Sequence, residues 1–123
     1  MDLKDKNAGG VIVAAAPGRI DLSNADQFQD ALSASLAKAR TALVLDLSAA
    51  DLITSGGFRA LVIVQKASKA ANKSFAITGL RPLVKEVYDI GKFNHVLALF
   101  DTVRDAVAKL DPDSLPALEA ALP

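Results

Sequence analysis

The sequence contains no cysteine, which excludes disulfides, thiolate nucleophiles and cysteine metal sites together and fits a reducing cytoplasm. It has a single histidine, His95, too few partners for a zinc or haem site, so no cofactor is expected. Neither sign of charge is in excess: 14 Lys plus Arg balance 14 Asp plus Glu. No bulk field therefore steers the chain toward nucleic acid or anionic lipid. Long apolar runs are also missing. The first, Val11 to Ala16, stops at Pro17, short of a signal-peptide core and far short of the roughly 18–20 residues that span a membrane. A soluble, cytoplasmic protein without direct membrane insertion is expected. No glycine-rich phosphate loop with its Lys and Ser or Thr is present, so nucleotide hydrolysis has no visible machinery. No internal repeat or low-complexity tract occurs, and 123 residues suffice for one domain with a working core.

What is present alternates between strand-like and helix-like segments. Val11–Ala16 lies between Gly9-Gly10 and Pro17-Gly18 and reads as a strand, with Leu3–Lys6 as an edge partner. Ser23, followed three residues later by Asp26, reads as the cap of a helix over Asn24–Ala39 with Phe28, Leu32, Ser35 and Leu36 inward. Ala42–Leu47 is apolar enough for a strand covered on both faces. After a loop through Thr54, the spacing of Gly57, Ala60, Leu61, Val64, Ala67, Ser68 and Ala71 predicts a second helix with a small, apolar stripe. Ser74–Thr78 completes a strand–helix–strand unit, which right-handed crossovers dominate. Pro82 opens a third helix with Leu83, Val84, Val87 and Ile90 inward, and Gly91 is placed to end it in the left-handed conformation. Val96–Phe100 reads as a strand, and Thr102 with Asp105 opens a last helix that Asp111-Pro112 ends. The tail, 112–123, carries Leu115, Leu118 and Leu122 at near-helical spacing, compatible with a short appended helix.

The most informative stretch is Asp51-Leu52-Ile53-Thr54-Ser55-Gly56-Gly57-Phe58-Arg59, between a central strand and a helix N-terminus, where open α/β sheets place their working sites. From the residues alone two readings stand. Thr54 or Ser55 caps the helix while the glycines permit a tight turn, or an exposed hydroxyl is addressed by a partner. Phe58, Val62 and Ile63 lie off the small-residue stripe, so either neighbouring helices cover them or they form a docking patch with Arg59 at its rim. Asp21 and Ser23 end an earlier strand, with Ser23 equally readable as a helix cap.

Gly18-Arg19-Ile20-Asp21, Val44-Leu45-Asp46-Leu47-Ser48, Ile53-Thr54-Ser55-Gly56-Gly57-Phe58-Arg59, the Pro82 helix and Phe100-Asp101-Thr102 occur in an order that resembles the STAS-domain anti-sigma-factor antagonists. The resemblance implies an α/β STAS fold, a mostly parallel mixed sheet of four to five strands with about four helices, over a single domain 1–111. In that family the second hydroxyl of a Ser-Ser or Thr-Ser pair is phosphorylated by an anti-sigma factor that is itself a serine kinase; matched here, the target is Ser55. The resemblance further implies a partner-switching cycle. The unphosphorylated protein captures the anti-sigma factor, phosphorylation releases it, and a PP2C-type phosphatase restores the first state. Asp21, Ser23, Thr54, Ser55, Gly56, Gly57, Phe58, Arg59 and Val62 would form the partner surface of a monomer or weak dimer. One departure is Ile53, where many members carry Asp. The alternative is a STAS scaffold that is not phosphorylated, such as the small subunit of a lipid-transport ABC complex.

An enzyme is not expected. Ser55, Asp89 and His95 follow the chain order of hydrolase triads, but Ile53 occupies the position where a nucleophile elbow needs glycine. Gly79-Leu80-Arg81-Pro82 leads into a helix start, a weak anion-binding signal, and Asp46 at a strand end reads as bonding local backbone.

Overall fold

The apolar runs form the parallel centre of a sheet. In the computed structural model, which describes residues 3–121, β2 (Val11–Ala15), β4 (Ala42–Asp46), β6 (Ser74–Thr78) and β7 (Ala98–Phe100) lie side by side and parallel. β1 (Lys4–Ala8) joins β2 antiparallel through the Gly9-Gly10 turn, giving the order β1-β2-β4-β6-β7. Ala42 to Leu45 of β4 are all buried, because helices cover both faces of the sheet. On one face, α1 (Ala25–Lys38), α2 (Ser55–Ala70) and α3 (Pro82–Ile90) enclose the main core of Phe28, Leu32, Leu43, Leu45, Phe58, Leu61 and Ile77. On the other, α4 (Val103–Leu110) and α5 (Leu115–Ala121) cover a smaller core of Val11, Val44, Ala106, Val107 and Leu118. Each fully buried Leu or Phe in these cores contributes roughly 1.5–3 kcal/mol.

Two short strands form whose bounds the sequence does not mark, although Asp21 and Ser23 read as ending one of them. β3 (Gly18–Ile20) and β5 (Ala50–Ile53) pair in parallel as a separate two-stranded sheet. Their shortness and their polar Arg19 and Asp51 hide them in the sequence, yet this pair carries the chain to the start of α2. Val96–Phe100 shortens to β7, because Phe93–His95 coils as a 3-10 turn first.

Several side chains face other ways than periodicity predicts. Ala67 and Ala71 are exposed, whereas Phe58 is fully buried, stacked on Phe93 at 4.8 Å and tilted against Tyr88 at 6.1 Å. α3 buries Val84 and Tyr88, and its Leu83 and Ile90 are exposed. The Tyr88 hydroxyl donates to the Leu97 carbonyl at 2.7 Å, which lets an aromatic with a polar tip enter the core. Gly91 is not left-handed: its φ is −75°, and Lys92 takes φ +56° instead. Glycine is required at 91 because a Cβ there would run into the Phe93 ring. Ser23 does not cap α1; Asn24 is the cap residue, and its side chain makes no cap hydrogen bond. At α4, by contrast, Thr102 Oγ1 accepts from the Asp105 N–H at 3.0 Å, the cap its spacing predicts.

The tail folds back onto the sheet. Pro112–Ser114 coils as a 3-10 turn, and α5 follows with Leu118 buried against β1 and α4; Leu122 lies outside the described residues. A polar latch fixes the turn. Asp111 Oδ2 accepts from Thr41 Oγ1 at 2.6 Å and from Ser114 Oγ at 2.7 Å, while Ser114 Oγ accepts from the Gly10 N–H at 2.9 Å. A Cβ on Gly9 would meet Ser114 Oγ at 2.7 Å, and Gly9 has φ +64°, so space and backbone both call for glycine at this approach.

Candidate functional site

The β3–β5 pair ends where α2 begins. The Thr54 N–H donates to the Ile20 carbonyl at 3.0 Å, tying the entry of α2 to the end of β3. Thr54 is the extended cap residue, its carbonyl receiving the Phe58 N–H at 3.0 Å, but its hydroxyl makes no cap hydrogen bond. Ser55 is the first helical residue and is exposed. The free N–H groups of the first turn are therefore uncapped by the threonine hydroxyl, and the positive end of the helix faces the serine.

The two glycines after Ser55 differ. A Cβ on Gly57 would lie 2.8 Å from Ile53 Cγ2, 3.0 Å from Ile20 Cγ2 and 3.3 Å from the Ile20 carbonyl oxygen. That residue lets the helix rest directly on β3 and β5. A Cβ on Gly56 would meet only ordinary contacts with Leu22 and Thr54, none closer than 3.7 Å. Gly57 and Phe58 are buried, so neither offers a partner a contact, contrary to the surface read from the sequence. Phe58 is covered because α3 and the turn after it close over that side of α2. Val62 is half-buried against the same core.

What remains outside is a shallow, open depression lined by Asp21, Leu22, Ser23, Thr54, Ser55, Gly56 and Arg59. Asp21, Ser23, Thr54, Ser55, Gly56 and Arg59 are thus brought together, and Leu22 joins them. Leu22 is an addition to the residues expected there; its 83% exposure marks it, and the only signal in the sequence is a large apolar residue between two polar ones at a strand end. Ile63 on α2 is also exposed and shares with Leu22 a second groove running toward α1.

Asp21 is rigidly held. Its Oδ1 accepts from Ser23 Oγ at 2.5 Å and from the Ser23 N–H at 2.9 Å, and its Oδ2 accepts from Arg19 Nε at 3.0 Å. The Ser23 hydroxyl above all, then the Ser23 N–H and Arg19, hold the Asp21 carboxyl below the usual carboxylate range. Asn24 completes the loop: its Oδ1 accepts from the Asp21 N–H at 2.9 Å and its Nδ2 donates to the Arg19 carbonyl at 2.8 Å. The Asp21 charge therefore stands fixed in the depression that holds Ser55.

The other candidate groups are engaged elsewhere. Arg81, at the start of α3, donates to the Ser48 carbonyl at 2.8 Å and pairs with Asp51 at 2.5 Å. Asp46 Oδ1 accepts from the Ser48 N–H at 2.9 Å, the local backbone bond its position predicts. Asp89 pairs with Lys85 at 2.9 Å, His95 is exposed in the 3-10 turn, and neither lines the depression around Ser55. Among the described residues no cluster of three His, Asp or Glu could hold a metal, and no helix is long and apolar enough to cross a membrane.

A doubly covered, mostly parallel sheet with an exposed serine at the start of its second helix defines a class, and residues 3–106 match the STAS domain family. The chain belongs to that family. It is 29% identical over 116 residues to BtrV of Bordetella bronchiseptica, a candidate anti-sigma factor antagonist, covering 94% of this chain and 99% of that protein. Its fold matches an anti-sigma factor antagonist of Mycobacterium paratuberculosis with a TM-score of 0.79 at 24% identity, covering 89% of this chain and 92% of the other. It also matches the anti-sigma factor antagonist SpoIIAA in its unphosphorylated form, with a TM-score of 0.73 at 12% identity over 90% and 97% of the two chains. The phosphorylated form of the Bacillus protein SpoIIAA matches with a TM-score of 0.63 at 13% identity over 88% and 98%. These structural likenesses establish the fold.

Proposed function

We propose that this STAS protein is an anti-sigma factor antagonist whose state is written on Ser55. The unphosphorylated form binds an anti-sigma factor with serine kinase activity. Phosphorylation of Ser55 releases that partner, and a PP2C-type phosphatase reverses the modification in the cytoplasm. The observation that carries the reading is the exposure of Ser55 at the first position of α2, in a depression it shares with Asp21, Leu22, Ser23, Gly56 and Arg59. The depression supports this reading: it offers an open surface, an apolar anchor in Leu22 and a cation in Arg59 at its margin.

The reading is tested by incubating the protein with a serine-kinase anti-sigma factor from the same cell and ATP, and locating phosphate by mass spectrometry. Phosphate is expected on Ser55, to persist in Thr54→Ala and to vanish in Ser55→Ala. Modification at Thr54, or recovery of transporter subunits instead of a kinase on affinity purification, would overturn it.

A further inference from the structure

The face of the sheet opposite Ser55 carries a partly open, mainly apolar cavity of about 280 Å³ between β1, β2, α4 and α5. Its walls are Val13 and Ala15 of β2, Val103 of α4 and Leu118 of α5, and Lys4, Lys6 and Asp46 also line it. Strand register explains the pattern. Lys4 pairs across to Ala15 and Lys6 to Val13, so both lysines share a face with the apolar floor. Ala15 in turn pairs with Asp46, which puts one carboxylate on the far side of the floor from Lys4. Val13 and Ala15 are both incompletely covered.

We propose that this cavity binds the anion of a medium-chain fatty acid, its alkyl chain lying on Val13, Ala15, Val103 and Leu118 and its carboxylate held by Lys4 and Lys6. The volume is near the lower end of the ~300–1,000 Å³ of small-molecule sites. With a methylene taking about the volume of a water, ~30 Å³, it accommodates roughly eight to ten carbons. Charge selects the head group. Among the described residues neither lysine is within ion-pair distance of a carboxylate, whereas Lys38, Arg19, Arg81, Lys85 and Arg104 all are. Two cations against the single Asp46 carboxylate leave the rim net positive, which suits an anionic head group, while the apolar floor suits an alkyl chain.

The lysines and the cavity each have a rival use. Lysines guard exposed edge strands against pairing with another chain, and β1 is an edge strand. The cavity is also bordered by Ala121, after which Leu122 and Pro123 follow, so the chain's own end is a rival occupant.

The test is a 1H–15N titration of the full chain with sodium decanoate, with decan-1-ol in parallel. Decanoate is expected to shift the amides of Ala8, Val13, Ala15, Val103 and Leu118, saturating below about 1 mM. Lys4→Gln with Lys6→Gln, both on the exposed edge, should weaken decanoate about tenfold or more and leave decanol unchanged. Absence of shifts, shifts confined to other surfaces, or a double variant that binds decanoate as well as the parent would overturn the proposal. So would binding that occurs only after residues 122–123 are removed, which would assign the cavity to the chain's own end.

Discussion

Two neighbouring glycines do different work, and substitution separates them. At Gly57 an added methyl would press on Ile20 and Ile53, both β-branched and fully buried, and on the Ile20 carbonyl, so the helix has to lift from β3 and β5. Gly57→Ala is expected to cost about 1–3 kcal/mol, the usual range for overpacking a tight core, despite the better helix propensity of alanine. At Gly56 the same methyl finds ordinary contacts, so Gly56→Ala should be neutral or stabilising by up to ~1 kcal/mol. Thermal midpoints read both: a drop of several degrees for the first, and none for the second. Equal midpoints would contradict the close approach of α2 to the small sheet. The same residues show what a sequence reveals. Helical spacing puts Gly57 on the inward stripe, but it cannot show that Phe58 turns sideways onto Phe93, since that partner is set by how the segment after α3 returns to the core.

Among elements, long apolar runs between breakers are legible and short or doubly apolar ones are not. β2, β4 and β6 keep nearly the bounds their sequence predicts, because a strand buried on both faces needs no alternation to be recognised. β3 and β5 are too short to show a period. α3 carries apolar residues on two flanks, Leu83 and Ile90 against Val84 and Tyr88, so its phase is decided by which flank meets the sheet. The turn before α5 is equally hidden, because its latch joins residues far apart in sequence, and it gives a pH prediction. The hydroxyls of Thr41 and then Ser114 hold the Asp111 carboxyl below its ordinary range. A carboxyl lowered in the folded state adds stability above its unfolded pKa, about 3.9, and loses it as pH falls through the folded value. Asp111→Asn should therefore lower the urea midpoint at pH 5–7, and its deficit relative to the parent should shrink below about pH 4. Asp21, lowered in the same direction, leaves the variant some acid sensitivity of its own. A deficit constant down to about pH 2 would show that the latch does not depend on the Asp111 charge.

For the whole molecule, the arrangement decides whether phosphate on Ser55 would act by deforming the protein or by changing what its surface presents. A phosphoserine at the first position of α2 faces uncapped backbone N–H groups and the positive end of the helix dipole, both of which favour a dianion. The glycine-mediated seat of α2 on β3 and β5 and the stacked Phe58 lie on the inner side, away from the phosphate. Nothing in the fold therefore gives way. Outside, the dianion adds about −1.5 to −2 charge to a depression that already contains the fixed Asp21 carboxylate and the exposed Leu22. A partner docking there must desolvate the phosphate and, if it brings carboxylates, meet repulsion from two sources. The expected outcome is an unchanged far-ultraviolet circular dichroism spectrum and a urea midpoint that does not fall in phospho-Ser55 protein, together with an affinity for the anti-sigma factor lower by about 5- to 150-fold, a coupling of about 1–3 kcal/mol. Loss of helicity would place the switch inside the fold, and unaltered affinity would remove Ser55 from the interface.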